Sequence, residues 1–255
     1  MNKPKLVIYG DVSVDGRLTV GPDVLLLYGD ERWSALAPPS DALDWLKATH
    51  KPQAMLEGSG SFLTDGTLPE PLPPVVGDTS ALYQDYLPEA VLRRPGREGW
   101  FVVTDARGRV RWYYTGEPGK EAPGAEAWHL LVLVTRQTPA AYLAFLQTES
   151  VPYLIAGEGE RVDLALALEK LAEQLGVACV ITTSPGKLGG ALLRAGLVDE
   201  VDLDFFPALI GGTRTPTLFE SPELRAEEWP ARLKLISARS GADGRVWLRY
   251  EVLRE

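Results

Sequence analysis

A chain of 255 residues suits one large α/β domain or two small ones, and a hydrophobic fraction of 45% supplies a sizeable core. The formal net charge of −9 argues against nucleic acid or an anionic membrane surface as the main partner. The single cysteine, Cys179, excludes an intramolecular disulfide, and the two histidines, His50 and His129, leave no His-rich metal site. No apolar run is long enough to span a membrane, and Met1-Asn2-Lys3-Pro4 runs directly into a strand, so the cytoplasm is the expected compartment.

Leu6 to Tyr9 is a short apolar strand, followed by the turn signal Asp15-Gly16. Asp23 to Tyr28 is apolar and extended in character, and Ser40 or Asp41 caps a helix to about Thr49. Ala54 to Leu56 forms the next strand and runs into Glu57-Gly58-Ser59-Gly60-Ser61, where glycines at a strand's carboxyl end permit close backbone approach. Pro69, Pro71, Pro73 and Pro74 break regular structure, and residues 69–99 form a lid, an interface arm or a surface excursion with one short helix between Tyr83 and Arg94. Phe101 to Arg109 is a strand and turn, Leu130 to Val134 a strand buried on both faces, and Pro139 to Gln147 a helix with Tyr142, Leu143 and Leu146 inward. After the strand Tyr153 to Ala156, Asp163 caps a helix carrying Leu164, Leu168, Leu171 and Leu175 and ended by Gly176. Gly157-Glu158-Gly159-Glu160 is no dinucleotide fingerprint, because Val162 stands at the third glycine's place and the glutamates would repel a pyrophosphate.

The stretch from Val177 to Gly212 forms one βαβ unit: a strand over Ala178 to Ile181, a tight loop, a helix, then a strand over Val201 to Phe206. Ser184 fits the N-cap, Pro185 the first helical position, and Gly196 the position past the end. A helix N-terminus with Lys187 in its first turn suits an anion, while the same residues also serve a simple packing helix. Thr213 to Glu220 is a loop, and Leu233 to Ala238 and Val246 to Val252 alternate as a closing antiparallel hairpin.

The string Leu192-Leu193-Arg194-Ala195-Gly196-Leu197-Val198-Asp199-Glu200, then Pro207 and Ile210-Gly211-Gly212, resembles the reductase domain of the riboflavin-biosynthesis deaminase-reductase family, which is dihydrofolate-reductase-like. Ser13, Asp15, Gly16 and Arg17 match that family's Ser-Leu-Asp-Gly-Lys/Arg, and Gly58, Ser61 and Asp65 match its glycine-containing strand end. The resemblance implies a dihydrofolate-reductase-like α/β/α fold in a single domain, with a mostly parallel sheet and the C-terminal hairpin at its edge. It implies NADPH as cofactor, a small-molecule substrate and a homodimer. Ser13, Asp15 and Tyr9 then lie on the substrate side. Val12, Trp33, Gly58, Ser59, Gly60, Ser61 and Asp65 lie along the cofactor, and Thr183, Ser184, Gly186, Lys187, Leu188 and Gly189 around its phosphates. Arg107 or Arg109 is available to a 2′-phosphate.

The departures are as informative. Tyr9 stands where the family has Lys or Asn, Ala106 where it has Ser, and Thr183-Ser184-Pro185 where it has Glu-Gly-Gly. The arginines that would hold a substrate phosphate fall on Thr49 and on the Arg-free stretch after Asp65, and a family serine falls on Glu31. The expectation is an NADPH-dependent reductase of a small heterocycle lacking that phosphate. The alternative is a non-catalytic nucleotide-binding or interaction protein that keeps the fold.

Overall fold

The computed structural model describes residues 3–24, 26, 29–63, 69–116, 119–120 and 127–254. In chain order the elements are β1 (Lys5–Ser13), α1 (Glu31–Leu36), α2 (Ala42–His50), β2 (Ala54–Gly58), α3 (Glu89–Leu92), β3 (Gly99–Thr104), β4 (Trp128–Val134) and α4 (Ala140–Thr148). They continue with β5 (Tyr153–Ile155), α5 (Leu164–Leu175), β6 (Cys179–Thr182), α6 (Lys187–Arg194), β7 (Glu200–Phe206), β8 (Arg232–Ser240) and β9 (Val246–Leu253). Contacts divide the chain into two compact units: Gln53–Ala178 with the N-terminal tetrapeptide, and Lys5–Pro52 with Cys179–Glu255.

In the unit built on Gln53–Ala178, the strands lie in the order β5-β4-β3-β2, with each paired neighbour parallel. β4 is buried along nearly its whole length, as its aliphatic run requires. Val132 and Val134 pack against Tyr142, Leu143 and Leu146 of α4. Burial of each such side chain contributes roughly 1.5–3 kcal/mol. Asp163 caps α5 by accepting hydrogen bonds from the N–H groups of Ala165 and Leu166, each at 3.0 Å. Gly176 ends the helix in the left-handed region at φ 66°.

Residues 69–99 cover the outer edge of β5. Tyr86 and Tyr153 exchange two backbone hydrogen bonds of 2.9 Å, and the Tyr153 hydroxyl donates to the Leu82 carbonyl at 2.6 Å. The Asp85 carboxylate accepts from Ile155 N at 2.8 Å, from Lys170 Nζ at 2.8 Å and from Gln174 Nε2 at 2.9 Å. A short edge strand is thereby closed to further pairing. The one short helix expected between Tyr83 and Arg94 is α3, which starts after Pro88, and a 3₁₀ turn at Ser80–Tyr83 precedes it.

In the second unit the order is β6-β1-β7-β9-β8, with β6, β1 and β7 parallel and the β8–β9 hairpin antiparallel to them at β7. β1 runs four residues beyond the expected strand, since its pairing with β7 continues to Ser13 opposite Phe206. The expected Asp23–Tyr28 strand falls partly outside the described residues; Leu26 within it lies in a 3₁₀ turn. α2 packs Ala42 and Leu46 on Val7, Tyr9, Ile181 and Trp247.

Asp85→Ala removes the acceptor that serves three donor groups, one of them backbone. The variant should lose about 2 kcal/mol of stability, measured by denaturant unfolding. Native-state hydrogen exchange should quicken at Ile155.

Candidate functional site

In the second unit, Ser13, Asp15 and Arg17 form a closed hydrogen-bonded turn. Ser13 is fully buried; its hydroxyl donates to Asp15 Oδ1 at 2.6 Å and accepts from Arg17 N at 2.9 Å. Asp15 also accepts from Ile210 N at 3.1 Å and Gly211 N at 2.7 Å, and Arg17 Nη1 donates to the Thr215 carbonyl at 2.9 Å. The Ser13 hydroxyl and the Ile210 and Gly211 amides hold the Asp15 carboxyl well below the usual carboxylate range. The pair therefore fixes the 208–217 loop beside the end of β1. Val12, wholly buried, pairs with Phe205 in the parallel ladder. Trp33, in a helix capped by Asp30, packs edge-on against Phe206 with ring centroids 5.1 Å apart.

The loop after β6 begins later and packs more tightly than the sequence suggested. α6 starts at Lys187, with Gly186 at its N-cap and no side-chain cap, so Ser184 and Pro185 stand ahead of the helix. Pro185 is buried on Gly10, where a Cβ would come within 2.9 Å of its ring, and its carbonyl accepts from Phe219 N at 2.8 Å. That packing takes Pro185 away from the first helical position. Thr182 Oγ1 accepts from Ser184 N at 3.1 Å, and Thr183 and Leu188 are half-buried. Gly189 and Gly190 are buried, and a Cβ on Gly190 would meet the Glu220 backbone at 2.7 Å. The buried face thus runs through these glycines and Leu192, while Ala195 is exposed. Lys187 is exposed in the first turn.

In the other unit, β2 ends in a 3₁₀ turn over Ser59–Phe62. A Cβ at Gly58 or Gly60 would meet no protein atom within 4 Å. Ser59 is buried and Ser61 half-buried, whereas Asp65 lies outside the described residues. The turn after β3 is built on Asp105, 1% exposed, whose Oδ2 accepts from Arg109 N, Val110 N and the Tyr142 hydroxyl at 2.9 Å each. This turn holds the Arg109 guanidinium 3.4 Å from Ser59 Oγ, with its buried Nε making no hydrogen bond. Arg107 is exposed.

A network that sequence reasoning missed lines one face of β7. Glu200, Asp202 and Asp204 alternate with Val201, Leu203 and Phe205, and all three acids are buried. Arg249 Nε donates to Asp202 Oδ1 at 3.0 Å, its Nη2 pairs with Glu200, and Lys5 Nζ lies 2.7 Å from Glu200 Oε2. Arg245 Nη1 joins Asp204 at 2.7 Å and Asp11 at 3.0 Å, and its Nη2 donates to the Pro38 carbonyl at 2.5 Å. Burial, then the neighbouring Asp11, raises the Tyr9 phenol far above its ordinary range, so Tyr9 stays neutral. Burial likewise raises the Asp11 carboxyl. Among the described residues, His50, Glu200 and Asp202 bring ligand-type atoms within 4.8 Å of one another. The Arg249 and Lys5 cations already neutralise these carboxylates, which makes the cluster an ion-pair network. The period-two acids of β7 were the available signal.

The fold is that of a mostly parallel α/β protein with loops gathered at the carboxyl ends of its strands, the edge at which such sheets bind ligands. Residues 4–247 match the RibD C-terminal domain family, and the chain belongs to it. This is the reductase family to which the sequence resemblance pointed, so the chain is a member of an oxidoreductase family. Its structure is similar to that of a pyrimidine reductase-like protein from Corynebacterium diphtheriae, with a TM-score of 0.63 and 16% identity, covering 100% of this chain and 94% of that one. The riboflavin biosynthesis reductase of Saccharomyces cerevisiae is similar at TM-score 0.59 and 15% identity, with 99% and 91% covered. Acinetobacter baumannii RibD is similar at TM-score 0.58 and 18% identity; the match takes in 99% of this chain but 59% of that protein. No curated protein sequence matches the chain significantly.

Burial, then the Glu200 carboxylate, pushes the Asp202 carboxyl up to about 7. An unfolded aspartate titrates near 3.9, so the folded state binds the extra proton between these values. This contribution to stability is full below about pH 4 and is lost as pH rises through about 7. In Asp202→Asn, thermal unfolding across pH 4–8 should lack that decline, and the variant should gain stability relative to wild type as pH rises.

Proposed function

We propose that this chain is an NADPH-dependent reductase that reduces a small heterocyclic substrate without a phosphate group. The observation that carries the cofactor reading is Arg109. Its guanidinium is positioned by the Asp105 turn beside Ser59, with a buried Nε making no hydrogen bond. A planar guanidinium at a glycine-containing strand end suits the 2′-phosphate that distinguishes NADPH from NADH. Each unit, taken by itself, offers residues that suit part of a dinucleotide. Gly58 and Gly60 leave room for close approach to the backbone. Lys187, in the first turn of α6, supplies a charge for the diphosphate. When bound, the nicotinamide supplies the hydride. Ser13 and Asp15 hold the loop on the substrate side and keep the Asp15 charge fixed. The cytoplasm is the proposed setting.

The substrate reading rests on charge. Thr49 and Glu31, which replace family residues that would contact a phosphate, are both exposed, and neither attracts a dianion. Each lost charged contact removes about 1.5–3 kcal/mol. The replacement of Glu-Gly-Gly by Thr183-Ser184-Pro185 supports the competing, non-catalytic reading, since Pro185 has no N–H for a phosphate. Titration with NADPH and NADH, followed by NADPH oxidation in the presence of candidate pterins or pyrimidines, separates the two: binding with oxidation supports the reductase, and binding of neither nucleotide leaves only the second.

Arg109→Ala should weaken NADPH binding about tenfold or more while leaving NADH affinity nearly unchanged, as read by nicotinamide fluorescence. Lys187→Glu should weaken both nucleotides at low salt, with a stability change within about 1 kcal/mol. Steady-state kinetics on the phosphorylated ribosylaminopyrimidine should give kcat/KM below roughly 10⁴ M⁻¹s⁻¹. A value above that refutes the assignment of an unphosphorylated substrate.

A further inference from the structure

Glu200, Asp202 and Asp204 of the β7 network are closed to solvent, but Asp11 of β1 is not. It stands two residues from the carboxyl end of that strand, opposite Asp204 in the parallel ladder. Tyr9 and Ser13, its neighbours on the same face, are 3% and 0% exposed, whereas the Asp11 side chain is 37% exposed. Its surroundings leave it short of positive charge. Arg245 Nη1 already holds Asp204 at 2.7 Å and reaches Asp11 at 3.0 Å, while its Nε lies 3.4 Å from Asp243. One guanidinium thus faces three carboxylates, and among the described residues no other cation pairs with Asp11. The Tyr9 hydroxyl, in contact with both Asp11 and Ser40, stays neutral and adds no charge. Burial holds the Asp11 carboxyl above its ordinary range. Were Asp11 present only to neutralise Arg245, it would duplicate Asp204.

We propose that Asp11 is a specificity-determining residue of the substrate side, and that its carboxylate receives a cationic N–C–N edge of amidine type on the substrate ring. A carboxylate has roughly four acceptor positions. Arg245 and the Tyr9 hydroxyl leave part of that capacity open toward solvent. An amidinium edge is planar, supplies the charge that Arg245 divides among three acids, and meets a carboxylate with two parallel N–H groups. An aromatic surface stands close by. Phe206, on the same sheet face, lies 6.0 Å from the Arg245 guanidinium and carries the half-buried Trp33 ring edge-on. An anionic group brought to the same place would be repelled, in keeping with a substrate that lacks a phosphate. As a statement about what a reductase reduces, this rests on the function proposed above; the affinity of Asp11 for such a cation does not.

Calorimetric titration of the full chain, without nucleotide, against three near-isosteres of different charge tests it: benzamidine, benzamide and benzoate. Benzamidine should bind about tenfold or more tightly than benzamide, and benzoate should not bind measurably. Asp11→Asn keeps the shape and an acceptor for Arg245. It should weaken benzamidine about tenfold or more and leave benzamide within about twofold. Should that variant fail to fold, the wild type decides by nuclear magnetic resonance: saturating benzamidine should shift the backbone amides of Asp11, Val12 and Phe206, and shifts confined to other residues overturn the proposal. Equal affinity for benzamidine and benzamide also overturns it, as does benzamidine binding that Asp11→Asn leaves unchanged. A chain that binds NADPH but not benzamidine refutes the role of Asp11 and leaves the reductase standing. A chain that binds benzamidine through Asp11 but neither nucleotide refutes the reductase and leaves the Asp11 site standing.

Discussion

The second unit depends on a row of buried charges. β7 is where parallel β1 and antiparallel β9 meet, and its inward acids Glu200, Asp202 and Asp204 are answered by Arg249 of β9 and by Arg245, the residue just before that strand. Such pairs add little net stability, because desolvation offsets their attraction, but removing one partner costs about 3–5 kcal/mol. What they confer is register. A one-residue slip of the hairpin would turn Arg249 toward the apolar row and Leu248 toward the acids. Arg245 also reaches Asp11 and the Pro38 carbonyl, so the same pairing that sets the hairpin holds the loop before α2.

The other unit uses a single buried carboxylate in a comparable way. Asp105 gathers two backbone amides and the Tyr142 hydroxyl, which in turn accepts from Trp112 Nε1 at 2.8 Å. The turn that aims Arg109 is thereby tied to α4. At Asp15 the arrangement is parallel: the carboxylate is consumed in fixing a loop, which is why its charge is permanent.

Much of this was legible in the sequence, for stated reasons. The buried strands and the α5 caps follow from local pattern, and Asp163 and Gly176 do there what their types favour. The start of α6 was misplaced because Ser184 and Pro185 satisfy cap preferences, whereas packing of Pro185 on Gly10 is a contact between residues distant in sequence. β1 was cut short at Tyr9 because the apolar run ends there and the Asp15-Gly16 turn signal follows; only pairing with β7 carries the strand on to Ser13. The covering of β5 by residues 69–99 was hidden for the same reason: the proline pattern excludes regular structure without saying which edge the segment protects. Arg109 was visible as a candidate equal to Arg107, and only the Asp105 turn separates them. The β7 acids were in plain view, but the strand over Val201 to Phe206 was read without regard to their alternation.

The division of the chain into units has a consequence for how it is made. Gln53–Ala178 is continuous, so nearly all of that unit has left the ribosome before the rest of the other exists. β1 is synthesised first, yet both its neighbours, β6 and β7, come more than 160 residues later. For most of translation the apolar strand Lys5–Ser13 has no ladder to join. Its closure is a long-range event with a correspondingly large loop entropy, which makes it a late and slow step in folding. A truncated chain ending before β6 would carry that strand without its partners, and chaperone binding to nascent chains would concentrate there.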